Sequence, residues 1–204
     1  MAPHSEPTFF YDFGSPNAWF AHRVLSGIEA RTGASFRYVP VLLGGLFRLT
    51  INQAPMIAFA GIPAKTAYMR REMERFIQRH SLHQFAMNPH FPVNTLALMR
   101  GAVAAQHADV HEGYVEAMFK GMWEEGRKLD DPAVLSATLT EAGLPAERLL
   151  ALAQDQTVKD QLVANTQMAF EAGAFGIPSF IVGGELYFGK DTLHEIEAEL
   201  VGAA

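Results

Sequence analysis

Strand-like sequence occupies only the two ends of this chain, and nearly everything between them reads as helix. Thr8-Phe9-Phe10-Tyr11-Asp12-Phe13 is short, aromatic-rich and bounded by Pro7 and Gly14, which predicts a buried strand. Trp19, Phe20, Val24, Leu25 and Ile28 recur at helical spacing, predicting a helix from Pro16 to about Thr32 that Gly33 stops. Ser35 to Val41 alternates like a strand, so the chain opens β-α-β, an order whose default is a parallel pair. At the other end Ser179–Val182 and Glu185–Phe188 flank Gly183-Gly184, a two-residue hairpin signal. Asp191 then stands where it would cap a final helix, Thr192–Val201.

Between about Gly44 and Gly173 the expected helices are Ala64–His80, Asn94–His107, His111–Glu125, Pro132–Ala142, Ala146–Ala153 and Thr157–Ala172. Their turns are marked by Gly and Pro, as at Asn88-Pro89, Phe91-Pro92, Gly126 and Asp131-Pro132. No fixed period repeats, which excludes a helical solenoid. The order is β-α-β, helical insertion, β-β-α: an α/β chain on the plan of a thioredoxin fold. Residues 1–43 and 176–204 are expected to form a discontinuous thioredoxin-like domain, and residues 44–175 an inserted all-helical domain.

Composition narrows the function. With 22 Asp plus Glu against 16 Lys plus Arg the net charge is −6, a poor match to a phosphate backbone, so no nucleic-acid partner is expected. Cysteine is absent, which excludes disulfides, thiolate metal sites and any dithiol cycle run by the protein itself. Apolar runs of about five to seven residues fall far short of the roughly twenty needed to cross a bilayer. The polar start Met1–Pro7 does not resemble a secretory signal, so no membrane partner and a cytoplasmic location are expected.

Three places carry chemistry. Ser15-Pro16-Asn17-Ala18 joins a strand to a helix, and a helix N-terminus stabilises an anion such as a thiolate. In a thioredoxin-like fold a Cys-x-x-Cys pair would stand there. Here the anion site remains without sulfur, and a thiol brought from outside would complete it; the plainer reading is that Ser15 is only an N-cap. Gly176-Ile177-Pro178-Ser179-Phe180 enters a strand after a helix. Few X-Pro bonds are cis, but in thioredoxin-like folds the one before this strand is, so a thioredoxin plan implies a cis Ile177-Pro178 bond that turns the Ile177 backbone toward an extended peptide. Phe188-Gly189-Lys190-Asp191-Thr192 is a strand-to-helix turn whose N–H groups suit a carboxylate and whose Asp191 suits an ammonium, the two halves of an amino-acid headgroup; a capping role for Asp191 is the alternative.

In this order these segments resemble the 2-hydroxychromene-2-carboxylate isomerases, relatives of the kappa-class glutathione transferases and of disulfide-exchange proteins with a helical insertion. The likeness runs over nearly the whole chain. It is carried by Phe10–Pro16, Leu42–Phe47, Asn52–Pro55, Pro63–Lys65, Phe91–Thr95, Phe175–Phe180 and Gly184–Leu193. It implies glutathione as cofactor, with Ser15 at the sulfur, the Ile177-Pro178 backbone on the cysteinyl unit, and Phe188, Gly189, Lys190 and Asp191 around the γ-glutamyl end. It also implies interconversion of 2-hydroxychromene-2-carboxylate and trans-o-hydroxybenzylidenepyruvate through reversible thiolate addition, in a homodimer of aromatic catabolism. Lys190, Thr192 and Asn17 depart from the family pattern, and the stretch from Arg48 to Ile62 matches only loosely.

A small aromatic carboxylate needs donors and apolar walls. The expected substrate residues are Phe47, Asn52, Lys65 and Phe91, with Arg48 and Asn94 as further donors and Trp123 as a further wall; each also has a structural reading as turn former, solvated helix residue or core. Ser15 is expected to activate the thiolate rather than attack, because no base stands beside it in sequence. His107/His111 and His80/His83 have spacings that suit a helix face, but no third ligand accompanies them, so no metal is expected. Met69, Met73, Met118 and Met122 read as packing. Two other functions fit the same motifs: a kappa-like transferase, and a redox-dead relative of the disulfide-exchange proteins that binds extended peptides.

Overall fold

The computed structural model describes residues 6–202; residues 1–5 of the polar start lie outside it. Four strands, β1 (Thr8–Tyr11), β2 (Arg37–Pro40), β3 (Ser179–Val182) and β4 (Glu185–Phe188), form one sheet in the order β2-β1-β3-β4. β1 runs parallel to β2 and antiparallel to β3, with Phe9 opposite Tyr38 on one side and Phe180 on the other. β3 and β4 form the expected hairpin, its Gly183 and Gly184 both at positive φ (60° and 90°), the backbone that a tight primed turn needs. This is a thioredoxin-like fold.

The first helix, α1 (Pro16–Thr32), has the predicted bounds. Pro16 occupies its first position, and Gly33 ends it in the left-handed region with its N–H on the Glu29 carbonyl. Eight helices then lie between β2 and β3: α2 (Leu43–Leu49), α3 (Pro55–Ala58), α4 (Pro63–His80), α5 (Leu96–His107), α6 (His111–Trp123), α7 (Pro132–Glu141), α8 (Ala146–Leu152) and α9 (Gln156–Glu171). The short α2 and α3 were not among the expected pieces; their sequence is too brief to show a helical period. Expected bounds elsewhere hold within two residues.

One hydrophobic core runs through both the sheet and the helices. Phe9 stacks on Phe180 at 5.1 Å, and buried Leu25, Met99, Met118, Phe119 and Trp123 belong to the same cluster. The outer carbonyls of β2 are covered by side chains of the inserted helices. Gln106 on α5 donates to Tyr38 O and Asn165 on α9 to Pro40 O, closing an edge that would otherwise pair with another chain. Among the described residues no helix is long and apolar enough to cross a membrane.

Two local expectations change. β1 stops at Tyr11 rather than Phe13, because the Asp12 carboxylate takes the Gly14 N–H at 2.8 Å and bends the chain there. Asp191 does not cap the last helix. Gly189, at φ 89°, opens a 3₁₀ turn (Lys190–Thr192) that contains Asp191 and runs on into α10 (Leu193–Gly202).

Candidate active site

Ser15 caps α1. Its Oγ accepts from the Ala18 N–H at 3.2 Å and donates to the Ile177 carbonyl at 3.0 Å. The hydroxyl therefore bridges the positive end of a 17-residue helix to the loop that enters β3. The capping and site readings of Ser15 are one arrangement. Its partners are both backbone groups, so no base is in place to make it a nucleophile.

The Ile177-Pro178 bond is cis. The Ile177 backbone is not wholly turned out to a guest, however: its carbonyl is taken by Ser15, whereas its N–H has no hydrogen-bond partner among the described residues. Pro178 O accepts from Gly189 N at 2.9 Å, which brings the β4 turn against this loop. Phe188 lies over Gly176, where a Cβ would come within 2.9 Å of its ring, and packs on Phe175 at 4.4 Å. Glycine at 176 is what allows that approach.

Lys190 takes a different place from the one expected. Its side chain is buried and its ammonium is held by Glu72 of α4 and, at 2.8 Å, by Asp191, 4.7 Å above the Phe76 ring. A cation this deeply buried needs such partners, so its side chain is committed to α4 rather than offered to a ligand. Asp191 remains exposed, with one carboxylate oxygen on Lys190.

The substrate candidates are scattered. Asn52 reaches the site: its Nδ2 donates to Phe175 O at 2.9 Å, two residues before Ile177. Phe47 is half-buried on α2, and its carbonyl accepts from Asn52 N. Lys65 is exposed, its ammonium 3.3 Å from the Phe59 ring centroid. Phe91, after which a second cis bond leads to Pro92, packs 5.8 Å from Trp123. Trp123 is core rather than wall: it is fully buried and donates from Nε1 to Phe13 O. Asn94 is spent locally on the Leu96 N–H, and Arg48 is exposed on the last turn of α2.

Two residues that set the site were given no role from sequence. Asp12 is fully buried and accepts from Gly14 N and from Leu43 N, at 2.8 and 2.7 Å, so it ties the Ser15 loop to the start of α2. Burial pushes its carboxyl up, against the pull of those two N–H groups and of Thr95. Thr95 is buried against Gly14, where a Cβ would meet its methyl at 3.1 Å. An acid set among aromatics just before Gly14 was the available signal for Asp12.

The histidine pairs do not share a helix face. α4 ends at His80, before His83, and the α5–α6 break separates His107 from His111. His111 instead meets the Tyr11 hydroxyl at 2.9 Å, and burial lowers its pKa to about 4. Among the described residues no group of three His, Cys, Asp or Glu side chains is placed to hold a metal. Met118 and Met122 are core, whereas Met69 and Met73 are half-buried.

With this geometry in hand, the chain can be set beside known proteins. The profile of the DSBA-like thioredoxin domain family matches residues 8–201. Human glutathione S-transferase kappa 1 is 27% identical over 211 residues, covering 95% of this chain and 89% of that one. A 2-hydroxychromene-2-carboxylate isomerase of Pseudomonas putida is 22% identical over 193 residues, covering 94% and 92%. Among solved structures, a 2-hydroxychromene-2-carboxylate isomerase superposes with a TM-score of 0.83 at 20% identity, covering 97% of this chain and 95% of the other.

Proposed function

The chain belongs to the DSBA-like thioredoxin domain family, and we propose that within it this protein is a glutathione-dependent isomerase that interconverts 2-hydroxychromene-2-carboxylate and trans-o-hydroxybenzylidenepyruvate. The observation that carries the reading is Ser15. In a fold built for thiol chemistry, a hydroxyl rather than a sulfur stands at the positive end of α1, in a chain without cysteine. The relatives named as isomerase and as kappa transferase support the same thiol-centred class.

The residues present fit glutathione on one structural point above all. The unpartnered Ile177 N–H lies beside Ser15, where a peptide carbonyl of the tripeptide would be received. When bound, glutathione would supply a thiolate that adds to the conjugated substrate and leaves unchanged. Ser15 would serve that sulfur by turning its O–H, proton retained, away from the Ile177 carbonyl and donating to the thiolate instead. A hydrogen bond to a charged acceptor is worth about 1.5–3 kcal/mol, against about 1 for the neutral one it replaces. The first-turn amides of α1 add the helix field. The turn at Gly189 and the exposed Asp191 receive the γ-glutamyl end, while Lys190 stays on Glu72 and holds α4 against that turn.

Asn52 fixes Phe175, and with it the aromatic pair Phe175–Phe188 that forms one apolar wall of the site. Phe47, Lys65 and Phe91 are assigned to the substrate side on resemblance. Leu49, Ile51, Met56, Ile57 and Ile62 form an exposed apolar stretch that a second copy of the chain would cover, giving a cytoplasmic homodimer of aromatic catabolism. The 27% identity to the human and rat kappa transferases favours conjugation as the second reading.

The test mixes protein, glutathione and 2-hydroxychromene-2-carboxylate. Isomerisation with all glutathione recovered is the expected result. A stable conjugate would make the protein a transferase. Neither product, together with binding of extended peptides but not of glutathione, would end the enzyme reading.

A further inference from the structure

Away from Ser15, α1, the C-terminal end of α4 and the turn into α10 enclose a cavity of about 370 Å³. Its ionisable lining is more basic than this acidic chain as a whole. Arg23, Arg31, Arg79 and Lys190 face it against only two carboxylates, Asp191 and Glu197, with His80 and His194 beside them. Counting the histidines as neutral, the lining carries +2 in a molecule whose net charge is −6.

Most of these cations are already matched. Arg31 grips Glu197 through two bonds of 2.5 and 3.0 Å, Lys190 is held by Glu72 and Asp191, and Arg23 forks onto Glu116. Arg79 and His80 are not: neither side chain makes a hydrogen bond or ion pair among the described residues. Next to them the wall turns apolar. Phe76 lies 4.3 Å from the His80 ring, and Val24, Ile28 and Leu193 continue the surface. Two uncommitted donors beside an aromatic floor suit a planar anion better than a bare one. A guanidinium accepts a carboxylate in a two-point fork, and the volume sits at the small end of ligand sites, about 300–1,000 Å³.

We propose that this cavity is a second small-molecule site that binds an organic carboxylate with an apolar body, the carboxylate on Arg79 and His80 and the body against half-buried Val24 and the edges of Phe76, Ile28 and Leu193. It shares only Lys190 and Asp191 with the proposed glutathione site, and it stands independently of that reading.

His80 is the reporter. Burial, and then the charges of Arg79, Lys190 and Arg31, hold its pKa below the ordinary value, and a carboxylate arriving beside it reverses that balance. The experiment follows the His80 imidazole by NMR in the full chain across pH, with millimolar benzoate as probe and inorganic phosphate at equal ionic strength as the bare anion. Benzoate is expected to raise the His80 midpoint by about one unit, and Arg79→Gln, on an exposed side chain, to weaken benzoate binding at least about tenfold. An unmoved midpoint overturns the proposal. So does an equal shift with phosphate, which would mean simple screening, or undiminished benzoate binding in Arg79→Gln. In Ser15→Ala the benzoate shift at His80 is expected to persist whether or not glutathione still binds, which keeps the two sites distinguishable; its loss there would also overturn the assignment.

Discussion

The seam where α1 meets α6 and the stretch from Leu49 to Tyr68 are built from opposite materials. In the seam, Arg23 forks onto Glu116 at 2.7 and 2.9 Å and also reaches Glu124, which takes the Trp19 indole N–H at 3.2 Å. His22 bridges Tyr38 and Glu116 and stacks on Phe119 at 5.0 Å. The Leu49–Tyr68 stretch has almost none of this. Ile51 is 97% exposed and Met56 and Ile57 are 61% and 66% exposed; its hold on the site is the bond from Asn52 to Phe175. One region pairs most of its polar groups within the chain, Arg23 Nε being a buried exception, and the other exposes apolar side chains. The difference separates a paired helix–helix seam from an exposed apolar stretch, the surface proposed to meet substrate or a second copy.

The largest effect that sharpens this contrast is at Asp12. Asp12→Ala strands the Leu43 and Gly14 amides in a buried loop and is expected to cost about 3 kcal/mol or more in urea unfolding. Asp12→Asn keeps one acceptor and is expected to cost less. If Asp12→Ala unfolds like the parent protein, the Ser15 loop is not held to α2 as described.

Acid tests the buried side next. His111 has a folded pKa of about 4 against 6.5 for the ordinary group, so the unfolded chain binds the extra proton first. Its stabilising share is complete above pH 6.5 and lost as pH falls toward about 4, at most about 3 kcal/mol. Glu116, lowered to about 2 first by the hydrogen bond from His22 and then by Arg23 against the cost of burial, adds a second loss between about 4.5 and 2. Half-exposed, it is screened by solvent and contributes less. Stability measured from pH 7 to about 2 should fall in these two steps, and Glu116→Gln should remove only the lower one.

The fold was readable because its signals were local and repeated. Gly33, Pro16 and Gly183-Gly184 each dictate a backbone state, and α1, β3 and β4 appear at the predicted residues. The thioredoxin-like plan, rather than the dipeptide itself, pointed to a cis Ile177-Pro178 bond, and the bond is cis. What stayed hidden depends on partners distant in sequence. Lys190 looked like a ligand donor until α4 placed Glu72 beside it, more than a hundred positions away. Trp123 looked like a wall until Phe13 O met its indole. Asp12 looked like part of a strand until α2 began at its carboxylate. Sequence spacing shows which residues share an element, not which buried group another element will claim.

The smallest effect on folding is expected in the exposed apolar stretch. Ile57→Ser should change unfolding free energy by less than about 0.5 kcal/mol while weakening self-association in sedimentation. A large loss of stability with no change in association would mean that the stretch is core after all.

The central claim is that Ser15 and the N-terminus of α1 hold an anionic sulfur that the chain itself lacks. It is tested most directly by titrating the thiol of protein-bound glutathione through its thiolate absorbance. Free thiols ionise at about 8.5, and the bound one is predicted to ionise at least about one unit lower in the native protein and to move back up in Ser15→Ala. A bound thiol that ionises at its free value in both proteins would contradict the account.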